Sequence, residues 1–331
     1  MGEAWYDGPM KPTVTAIVVA YNSRKYIDMA LTGLLSQRVR PDTIVVVFCG
    51  NADGCMEYVQ QQYPSVQVVN PQKNLGFAGG NNLAMRQFPA DLFLLHNPDV
   101  HMDEQWLQEA LGVAEGNKDV AAVVGMLYRS EPETAHATRI IDSTGLCMRT
   151  SGRPYDRGQG EVDAGQFASG TVWGFSGALV LLRAAALEQV AHRMGVSQPE
   201  YFDEFFHTYW EDADLSWRLH RAGYVTWFTP NATAVHARGI RGVEKKQFWL
   251  IRYLRNYYAI APVIRKNIVA NYFFTVIKNA PRLHWSMCVR GTTLVLFVVF
   301  CDVRAWPALG RVVRLFPRMW ARRRESEVVC A

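Results

Sequence analysis

Apolar and polar positions follow two alternating periodicities over the first 125 residues. Residues 13–22 form a short, β-branched apolar run that ends in a polar pair, which predicts a buried parallel strand. Apolar side chains then recur at helical spacing over residues 23–37. Further strands are predicted at 42–48, 65–70, 91–100 and 119–125, with a helix at about 103–115. This β-α-β-α alternation predicts an α/β fold with a mostly parallel central sheet.

The regular alternation stops in the middle of the chain. Residues 128–170 lack periodicity and are rich in Gly, Ser, Thr, Asp and Arg, so we expect a long loop or a small irregular insertion. Residues 172–190 predict a turn, a strand and a helix, and residues 211–224 predict a helix that ends at a glycine. The segments "VTWF" and "ATAVHA" that follow predict two more short strands.

The C-terminal part of the chain has a helical pattern and is strongly basic. Residues 1–240 hold 18 Lys/Arg against 26 Asp/Glu, whereas residues 241–331 hold 17 against 4, within a net charge of +5. A basic, aromatic-rich segment beside an acidic body predicts an anionic partner, either a membrane surface or a nucleic acid, although a solvated helical face has the same composition. We favour the membrane surface over a nucleic acid because no nucleic-acid recognition motif is present. The apolar run 292–300 is too short to span a bilayer as a helix.

Cysteine usage and the N-terminus bear on the cellular compartment. The six cysteines are scattered and include no CxxC pair, which predicts reduced thiols in a cytosolic compartment. Residues 1–12 have no basic start followed by an apolar run, so we expect a short N-terminal tail rather than a signal peptide. The sequence therefore predicts a cytoplasmic protein that is peripheral at the inner face of the cell membrane.

The segment "HNPDV" (96–100) places a carboxylate at the end of a predicted central strand. A proline turn exposes Asp99 there, and Mg²⁺ and Mn²⁺ prefer oxygen ligands that they often share with substrate phosphates. Taken alone, the segment favours a simpler role, in which Asp99 caps the helix that follows. His236, at the end of a later strand, completes a Mn²⁺-type site only if the fold brings it near Asp99.

Residues 73–85, "KNLGFAGGNNLAM", form a glycine-rich strand-to-helix turn. Gly76, Gly79 and Gly80 allow backbone N–H groups and a helix N-terminus to face phosphate or sugar hydroxyls. The segment matches neither GxGxxG nor GxxxxGK[ST], which counts against a Rossmann dinucleotide fold and a P-loop NTPase. For this stretch alone, a plain glycine-rich turn is an equal alternative.

Three carboxylates lie among aromatic residues in "YWEDADLSW" (209–217). Helical spacing places Asp214 and Arg218 on one face of the helix and predicts a surface ion pair that contributes little to stability. Glu211 and Asp212 then stand at the helix start, where a carboxylate is stabilised in the charged form that a general base requires. Taken alone, the stretch favours a capped, solvated helix start, and spacing does not decide which of the two acids is a base.

Six segments in sequence order resemble the family 2 inverting glycosyltransferases of the GT-A fold, most closely their rhamnosyltransferase and galactofuranosyltransferase branch. The segments are "IVVAYNS", "NLGFAGGNN", "LLHNPDV", "GFSGALVLLR", "YFDEFFHTYWEDADLSWRLHRAGY" and "VHARG". The resemblance covers residues 13–240 and implies a single GT-A nucleotide-sugar-binding catalytic domain there. Residues 241–331 would then form a basic, aromatic-rich helical region at the membrane surface or on the acceptor side.

The resemblance also implies roles for individual residues. Asp212 is the expected base of the Glu211–Asp212 pair, and it would take the proton of an acceptor hydroxyl while the anomeric configuration inverts. Asp99 and His236 are expected to hold Mg²⁺ or Mn²⁺ on the leaving diphosphate. The residues expected near the nucleotide-diphosphate donor, its sugar or the acceptor are Asn22, Asn74, Gly76, Asn81, Asn97, Asp99, Trp173, Ser176 and Gly177.

The branch implies transfer of rhamnose or a related hexose to a glycan or lipid-linked acceptor in cell-surface polysaccharide synthesis. Two departures concern the donor side. Phe48 and Cys49 replace the Asp-Asn pair that usually follows the second strand, and that Asp normally contacts the nucleobase. Phe48 therefore either stacks on the base or merely fills space. Arg241 stands where the family tends to have a glycine-rich turn, and it either neutralises diphosphate or is solvated.

The missing Asp motivates an alternative function. A catalytically degenerate module would bind a nucleotide sugar without transferring it. The presence of Asp99, Glu211, Asp212 and His236 argues against this alternative.

Overall fold

The computed structural model describes residues 11–130, 137–193, 195–237 and 249–329 of the 331-residue chain. These residues form a central sheet with helices on both faces and further helices at the C-terminal end. The strands are β1 (Val14–Tyr21), β2 (Thr43–Gly50), β3 (Gln67–Val69), β4 (Leu92–His96), β5 (Val100–Met102), β6 (Val120–Ser130), β7 (Ala137–Ser143), β8 (Leu146–Met148), β9 (Pro154–Asp156), β10 (Gly170–Val172), β11 (Leu179–Arg183) and β12 (Val225–His236). The helices are α1 (Ile27–Leu35), α2 (Cys55–Gln62), α3 (Gly76–Gln87), α4 (Trp106–Gly116), α5 (Ala184–Val190), α6 (Glu211–Arg221), α7 (Trp249–Tyr258), α8 (Pro262–Asn279), α9 (Trp285–Cys301) and α10 (Trp306–Val329).

The main path of the sheet has the order β10-β12-β6-β11-β4-β1-β2-β3. β3, β2, β1 and β4 run parallel, as do β6 and β12, and β11 is antiparallel to both β4 and β6. Parallel neighbours need crossover connections, which α1, α2 and α3 supply. The carboxyl ends of β1, β2 and β4 therefore meet at one edge of the sheet, where ligands of such folds bind. The predicted α/β fold with a mostly parallel central sheet is confirmed.

Alternate side chains of β1 enter two different cores, one on each face of the sheet. Val14, Ala16 and Val18 belong to the core that α1, α2 and α4 cover. Ile17 belongs to the core that α3, α5 and α6 cover. A strand covered by helices on both faces is apolar throughout, which explains the continuous apolar run at 13–22.

The segment at residues 128–170, expected to be a long loop or a small irregular insertion, contains strands that the sequence does not predict. β6 continues to Ser130, and β7, β8, β9 and β10 follow it. β7 extends the sheet beside β6, and β8 and β9 pair as an antiparallel hairpin. β8, β9 and β10 have three residues each, which is too short for an alternating pattern to be recognised.

The strands predicted separately at "VTWF" and "ATAVHA" form the single twelve-residue strand β12. Its register against β6 shifts in the middle of the strand. At this shift the backbone of Ala232 approaches Gly125 so closely that a Cβ there would lie 1.9 Å from the Ala232 carbonyl oxygen. Pro230 interrupts the apolar pattern at the same point, since proline within a sheet is confined to edges and bulges. The pattern therefore predicts two strands where one irregular strand exists.

α8 joins the C-terminal helices to the rest of the protein because it packs against both α6 and α10. Asn271 and Lys278 of α8 are buried in this contact. The rings of Phe206, just before α6, and Phe274 of α8 pack edge to face with centroids 5.9 Å apart. Arg241 and the predicted domain boundary at 240/241 lie outside the described residues.

The Asp214–Arg218 pair, expected on the surface, is buried instead. Arg218 Nε lies 3.1 Å from Asp214 Oδ2, and the two side chains are 1% and 0% exposed. Lys278 Nζ lies 2.8 Å from the same oxygen and 2.6 Å from Asp203 Oδ2, and Arg322 of α10 also contacts Asp203. Helical spacing predicts the pair correctly but not its burial, because the covering lysine is 64 positions further along the chain. We call these five side chains the buried ion cluster.

Candidate active site

A cleft lies at the carboxyl edge of the sheet and consists of two cavities that share Tyr209. The first, the Asp212 cavity, has a volume of about 300 Å³. The second, the Asp99 cavity, has a volume of about 710 Å³. The Asp212 cavity is lined mainly by Phe77, Asn97, Pro154, Tyr155, Asp156, Ser176, Gly177, Thr208, Tyr209, Trp210, Glu211 and Asp212. The Asp99 cavity is lined mainly by Tyr26, Asp99, Arg129, Asp142, Gln159, Tyr209, Ile260, Ile264 and Ile268.

Asp212 is the second residue of α6 and is half-buried at the wall of its cavity. Its Oδ2 accepts a hydrogen bond from the Gly177 N–H at 3.1 Å, and its Oδ1 accepts one from the Ala213 N–H at 2.7 Å. Backbone N–H donors and a helix N-terminus both stabilise the charged form of a carboxylate. The cavity therefore contains a charged carboxylate that a second molecule can reach.

Its neighbour Glu211 lies in a different environment. Glu211 is 6% exposed, and its Oε2 has no hydrogen-bond partner among the described residues. Burial, and after it the charge of Asp212, raises the pKa of Glu211 well above its usual value. A carboxyl group that keeps its proton cannot accept another. Asp212 is therefore the better candidate for a proton acceptor, a choice that spacing along the sequence leaves open.

The turn before α6 holds three non-glycine residues in the left-handed region. The φ angle is +63° at His207, +69° at Tyr209 and +75° at Trp210. Each such residue costs on the order of 1–3 kcal/mol, so the surrounding structure has to hold it in place. Asn271 of α8 does so, because its Nδ2 lies 2.9 Å from the carbonyl oxygen of Phe206 and 2.7 Å from that of Tyr209. α8 thus fixes part of the cavity wall.

The fold brings Asp99 and His236 together, as a shared metal site requires. β5 pairs with β12 so that His236 stands opposite Val100, and His236 Nε2 lies 3.3 Å from Asp99 Oδ2. On its other side, His236 Nδ1 lies 2.8 Å from Asp142 Oδ2. Burial lowers the pKa of His236, but hydrogen bonds to Asp142 and Asp99 outweigh it and raise that pKa to about 9.

This set of side chains fits a divalent cation. Asp142 holds Nδ1 of His236, which is the arrangement that orients an imidazole with Nε2 toward a metal. The side chain of Asp99 is 30% exposed and lines the cavity, so its oxygens are accessible to a cation that also binds substrate oxygens. A cation would replace the proton on Nε2, and its binding would therefore release a proton.

A second group of ligand-type side chains consists of Asp203 and Asp214 of the buried ion cluster together with the neighbouring His192. Lys278 Nζ already lies 2.6 Å from Asp203 Oδ2 and 2.8 Å from Asp214 Oδ2, and Arg322 Nη1 lies 2.5 Å from Asp203 Oδ1. A metal ion there would lie against two cationic side chains. The Asp99–His236 pair is therefore the better metal candidate.

The expected donor-side residues Asn22 and Asn74 lie in loops at the sheet edge, and Gly76 is the first residue of α3. Asn22 has a φ of +49°, and its Oδ1 accepts a hydrogen bond from the Ala52 N–H at 2.9 Å. Asn74 Oδ1 accepts one from the Gly76 N–H at 2.8 Å. Gly76 has a φ of +68°, and a Cβ there would lie 2.2 Å from the His207 carbonyl oxygen, so only glycine fits. These residues shape the backbone that borders the cleft.

Three other residues stand away from the linings of the two cavities. Asn81 lies inside α3, and its Nδ2 donates to the carbonyl oxygen of Phe77 at 2.9 Å. Trp173 packs edge to face against Trp217 with ring centroids 5.9 Å apart. Phe48 is 2% exposed in the sheet core, so it fills space and is not available for stacking on a base.

A family model described as glycosyltransferase like family 2 matches residues 12–259, about three quarters of the chain. The chain belongs to this glycosyltransferase family. It is an enzyme of nucleotide-sugar glycosyl transfer, and the resemblance carried by the six sequence segments is confirmed.

Two curated relatives of this glycosyltransferase act in glycan synthesis by name. The N-acetylglucosaminyl-diphospho-decaprenol L-rhamnosyltransferase of Mycobacterium tuberculosis (strain CDC 1551 / Oshkosh) is 25% identical over 248 residues, which cover 69% of this chain and 76% of the relative. The poly-beta-1,6-N-acetyl-D-glucosamine synthase of Staphylococcus aureus (strain COL) is 22% identical over 221 residues. That alignment covers 66% of this chain and 48% of the synthase, so the chain spans about half of that relative.

Solved structures share the GT-A fold with this glycosyltransferase. GalNAc-T7 with UDP, GalNAc and Mn²⁺ superposes with a TM-score of 0.59 at 11% identity, over 82% of this chain and 48% of that chain. A mannosyltransferase of Pyrobaculum calidifontis with GDP-Man and Mn²⁺ superposes with a TM-score of 0.53 at 18% identity. The second match covers 97% of this chain and 86% of that chain.

Sequence reasoning missed several residues of the candidate site. Asp142, which orients His236, lies in the segment expected to be irregular, and no local signal distinguishes it. Tyr155 of β9 lines the Asp212 cavity from the same segment. Asn271 acts from α8, and a buried amide in an otherwise apolar helical pattern was its only signal.

Proposed function

We propose that this glycosyltransferase is metal-dependent and inverting, and that it moves a sugar from a nucleotide-diphosphate donor to an acceptor hydroxyl. The observation that carries the proposal is the arrangement of the cleft. The charged carboxylate of Asp212 faces one cavity, and the Asp99–His236 pair borders the other. Asn97 and Asp99 lie on one turn between the cavities, and Tyr209 lines both. A donor with its diphosphate beside Asp99 would thus direct its sugar toward Asp212.

In this proposal Asp212 is the general base. The acceptor hydroxyl enters the Asp212 cavity and donates a hydrogen bond to the carboxylate. Asp212 takes the proton while the acceptor oxygen bonds to the anomeric carbon, and the bond from that carbon to the diphosphate breaks on the opposite face. The Gly177 N–H keeps the carboxylate oriented. A single displacement of this kind inverts the anomeric centre and needs no covalent enzyme intermediate.

Asp99 and His236 would hold Mg²⁺ or Mn²⁺, which neutralises the charge that develops on the leaving diphosphate. Asp142 would keep His236 in the orientation that exposes Nε2 to the cation. Arg129 also lines the Asp99 cavity, with its Nε 3.4 Å from Asp142 Oδ1. These side chains place the positive charge of the site at the end away from the base.

The relatives support the proposed substrate classes. The mycobacterial relative is named for L-rhamnose transfer to a diphospho-decaprenol acceptor. We propose rhamnose or a related hexose as the transferred sugar, and a glycan or lipid-linked hydroxyl as the acceptor, in cell-surface polysaccharide synthesis. Because Phe48 is buried where the base-contacting Asp is expected, selection of the nucleobase would depend on other residues.

A donor-hydrolysis screen with Mg²⁺ and Mn²⁺ tests this proposal and the metal site together. We expect release of a nucleoside diphosphate from one nucleotide sugar, and loss of that release on chelation with EDTA. Asp99→Ala should weaken Mn²⁺-dependent donor binding by about 10- to 100-fold or more, because it removes a ligand and not only an outer partner. The matched control is Asp119→Ala, at an exposed carboxylate before β6.

Two outcomes would count against the proposal. Unchanged Mn²⁺ dependence in Asp99→Ala would contradict the metal assignment. Donor binding without hydrolysis or transfer, for every nucleotide sugar tested, would favour the alternative of a degenerate binding module.

We further propose that α9 and α10 attach the enzyme peripherally to an anionic membrane. The apolar side chains of Trp285, Phe300, Trp306 and Val313 are exposed on this part of the chain, and so are Arg304, Arg314 and Arg318. In the described part of the chain, no single helix has the length and apolar character to cross a membrane. α9 and α10 meet those criteria only as a pair, and they are bent by 116° where they join. An amphipathic surface of this kind lies in the membrane interface.

Liposome flotation tests the membrane proposal. At low salt the protein should float with anionic vesicles, since each basic residue near such a surface contributes about 1 kcal/mol, and high salt should weaken this attachment. The double variant Trp285→Ser/Phe300→Ser should float less, whereas the control Val162→Ser, at an exposed apolar residue far along the chain from α9, should float like wild type. A protein that ignores anionic vesicles at low salt would refute the attachment.

A further inference from the structure

An apolar groove of about 420 Å³ lies between α8 and α9. Its walls are mainly Phe273, Val276, Ile277, Met287, Val295 and Leu296. The hydroxyl of Tyr272, also at the groove, already donates toward the Met287 carbonyl oxygen at 2.9 Å. Such a lining offers an apolar ligand contact area and very few polar partners.

The groove and the Asp212 cavity are separated by a thin aromatic wall. Tyr272 lines the groove, and Trp210 lines the cavity. Their rings pack edge to face with centroids 5.8 Å apart. The β8–β9 hairpin closes the wall, since the Tyr272 hydroxyl also lies 3.2 Å from the Ser151 carbonyl oxygen and Tyr155 of β9 lines the cavity. A molecule that passes around this wall would reach both spaces.

Two arginines border the path between the groove and the cavity. The guanidinium of Arg290 lies 5.2 Å from the ring centroid of Tyr272, at the groove. The guanidinium of Arg149 lies 4.6 Å from the ring centroid of Tyr155, at the cavity. Guanidinium groups pair strongly with phosphate oxygens. The order along this surface is therefore apolar groove, cationic rim, and cavity with the carboxylate.

The outer lip of the groove continues into the exposed apolar face of α9. Leu283 and Leu296 both line the groove and are 68% and 51% exposed. Trp285 and Phe300 extend the same apolar surface along the helix. A hydrocarbon chain could thus enter the groove from a membrane without crossing a polar surface.

We propose that the α8–α9 groove binds the hydrocarbon tail of a phosphate-bearing lipid acceptor, with the phosphate at Arg290 and Arg149 and the acceptor hydroxyl at Asp212. This inference rests on the proposed function and narrows its acceptor to one class. The three parts of such a lipid match the three parts of the surface in order. An apolar peptide segment would match the groove but not the cationic rim.

Binding of alkyl phosphates tests the groove without requiring turnover. Octyl, decyl and dodecyl phosphate are titrated below their critical micelle concentrations, and tryptophan fluorescence reports the Kd. We expect affinity to rise by roughly fourfold per added methylene until the groove is filled. Arg290→Gln should weaken the binding of dodecyl phosphate several-fold and leave that of an uncharged dodecyl glycoside unchanged, because only the phosphate ligand pairs with the charge of Arg290.

A matched pair of substitutions on α9 locates the site. Val295→Trp fills the groove and should weaken dodecyl phosphate binding at least tenfold. Val299 lies one helical turn further along α9, outside the groove lining. Val299→Trp should therefore leave the Kd for dodecyl phosphate within twofold of the wild-type value. Gly291→Leu is a second filling variant in case Val295→Trp does not fold, since a Cβ at Gly291 has ordinary contacts of 3.4 Å or more.

Each outcome decides the proposal. Chain-length-dependent binding that both filling variants abolish supports it. Binding that survives the filling variants places the alkyl chain elsewhere, on the exposed face of α9, and overturns it, as does the absence of binding. Donor hydrolysis is measured separately on the same preparations. If the protein hydrolyses donor but binds no alkyl phosphate, only the groove proposal is overturned. If it binds alkyl phosphate without hydrolysing donor, only the proposed function is overturned.

Discussion

Replacing Asp212 with Asn should lower sugar transfer by about 10²- to 10⁴-fold, the contribution that a general base typically makes. The substitution keeps the shape of the side chain, and Oδ1 can still accept one of the two backbone N–H bonds. Donor binding should therefore stay within a few-fold of wild type. Single-turnover transfer and donor titration, both with Mn²⁺, separate the two quantities.

The matched control for this prediction is the adjacent residue. Glu211→Gln replaces a buried carboxyl group that keeps its proton by an amide of similar size and equal charge, so transfer should fall by less than about tenfold. Near-normal transfer in Asp212→Asn would eliminate Asp212 as the base. A loss in Glu211→Gln as large as that in Asp212→Asn would show that Glu211 acts in its charged form, contrary to its burial.

The sequence predicts the fold well where local pattern and tertiary environment agree. β1 is apolar throughout because helices cover both of its faces, and the polar residues that follow it necessarily fall at the sheet edge. The pattern fails for β8 and β9, which are too short for any periodicity, and for β12, in which Pro230 divides one strand into two apparent ones. The failures are therefore local and have identifiable causes.

The candidate site is less accessible to sequence reasoning because its chemistry depends on contacts between distant segments. Glu211 and Asp212 are adjacent and chemically similar, yet burial gives one a raised pKa while backbone N–H donors stabilise the charge of the other. His236 becomes a candidate ligand only because β5 brings Asp99 beside β12. Its orienting partner Asp142 is 94 positions away. Spacing along the chain contains none of this information.

The buried ion cluster shows that the C-terminal helices are part of the structure that supports the site. Asp214 belongs to α6, the helix that begins with Glu211 and Asp212, and Asp203 precedes the strained turn at the cavity wall. Burial opposes the charged forms of both carboxylates. At Asp203 the charges of Arg322 and Lys278 outweigh burial, and at Asp214 the charges of Lys278 and Arg218 do the same. The pKa of each carboxyl group is therefore lowered. The position of α6 therefore depends on cations from α8 and α10.

Replacing Lys278 with Met should accordingly destabilise the protein by about 3–5 kcal/mol, the usual cost of removing one partner from a buried ion pair. Lys278 is 1% exposed and lies within 2.8 Å of oxygens of both Asp203 and Asp214, so its loss removes the cation that the two buried carboxylates share and leaves each with a single arginine partner. Urea unfolding measures the change in the free energy of unfolding. Lys266→Met, at a half-buried lysine of the same helix, is the control and should cost less than about 1 kcal/mol.

A double variant and the pH dependence distinguish this electrostatic cause from simple loss of packing. Asp214→Asn added to Lys278→Met should recover part of the stability, because it removes the repulsion between the Asp203 and Asp214 carboxylates that Lys278 offsets in wild type. The lowered pKa values of Asp203 and Asp214 mean that their contribution is present above the unfolded-state pKa of about 4 and is lost as the pH falls through the lower folded-state values. Without Lys278 the folded-state pKa values rise, so acid unfolding should begin at a higher pH than in wild type. If Lys278→Met matched wild type in both urea and acid, α6 would be held by apolar packing alone.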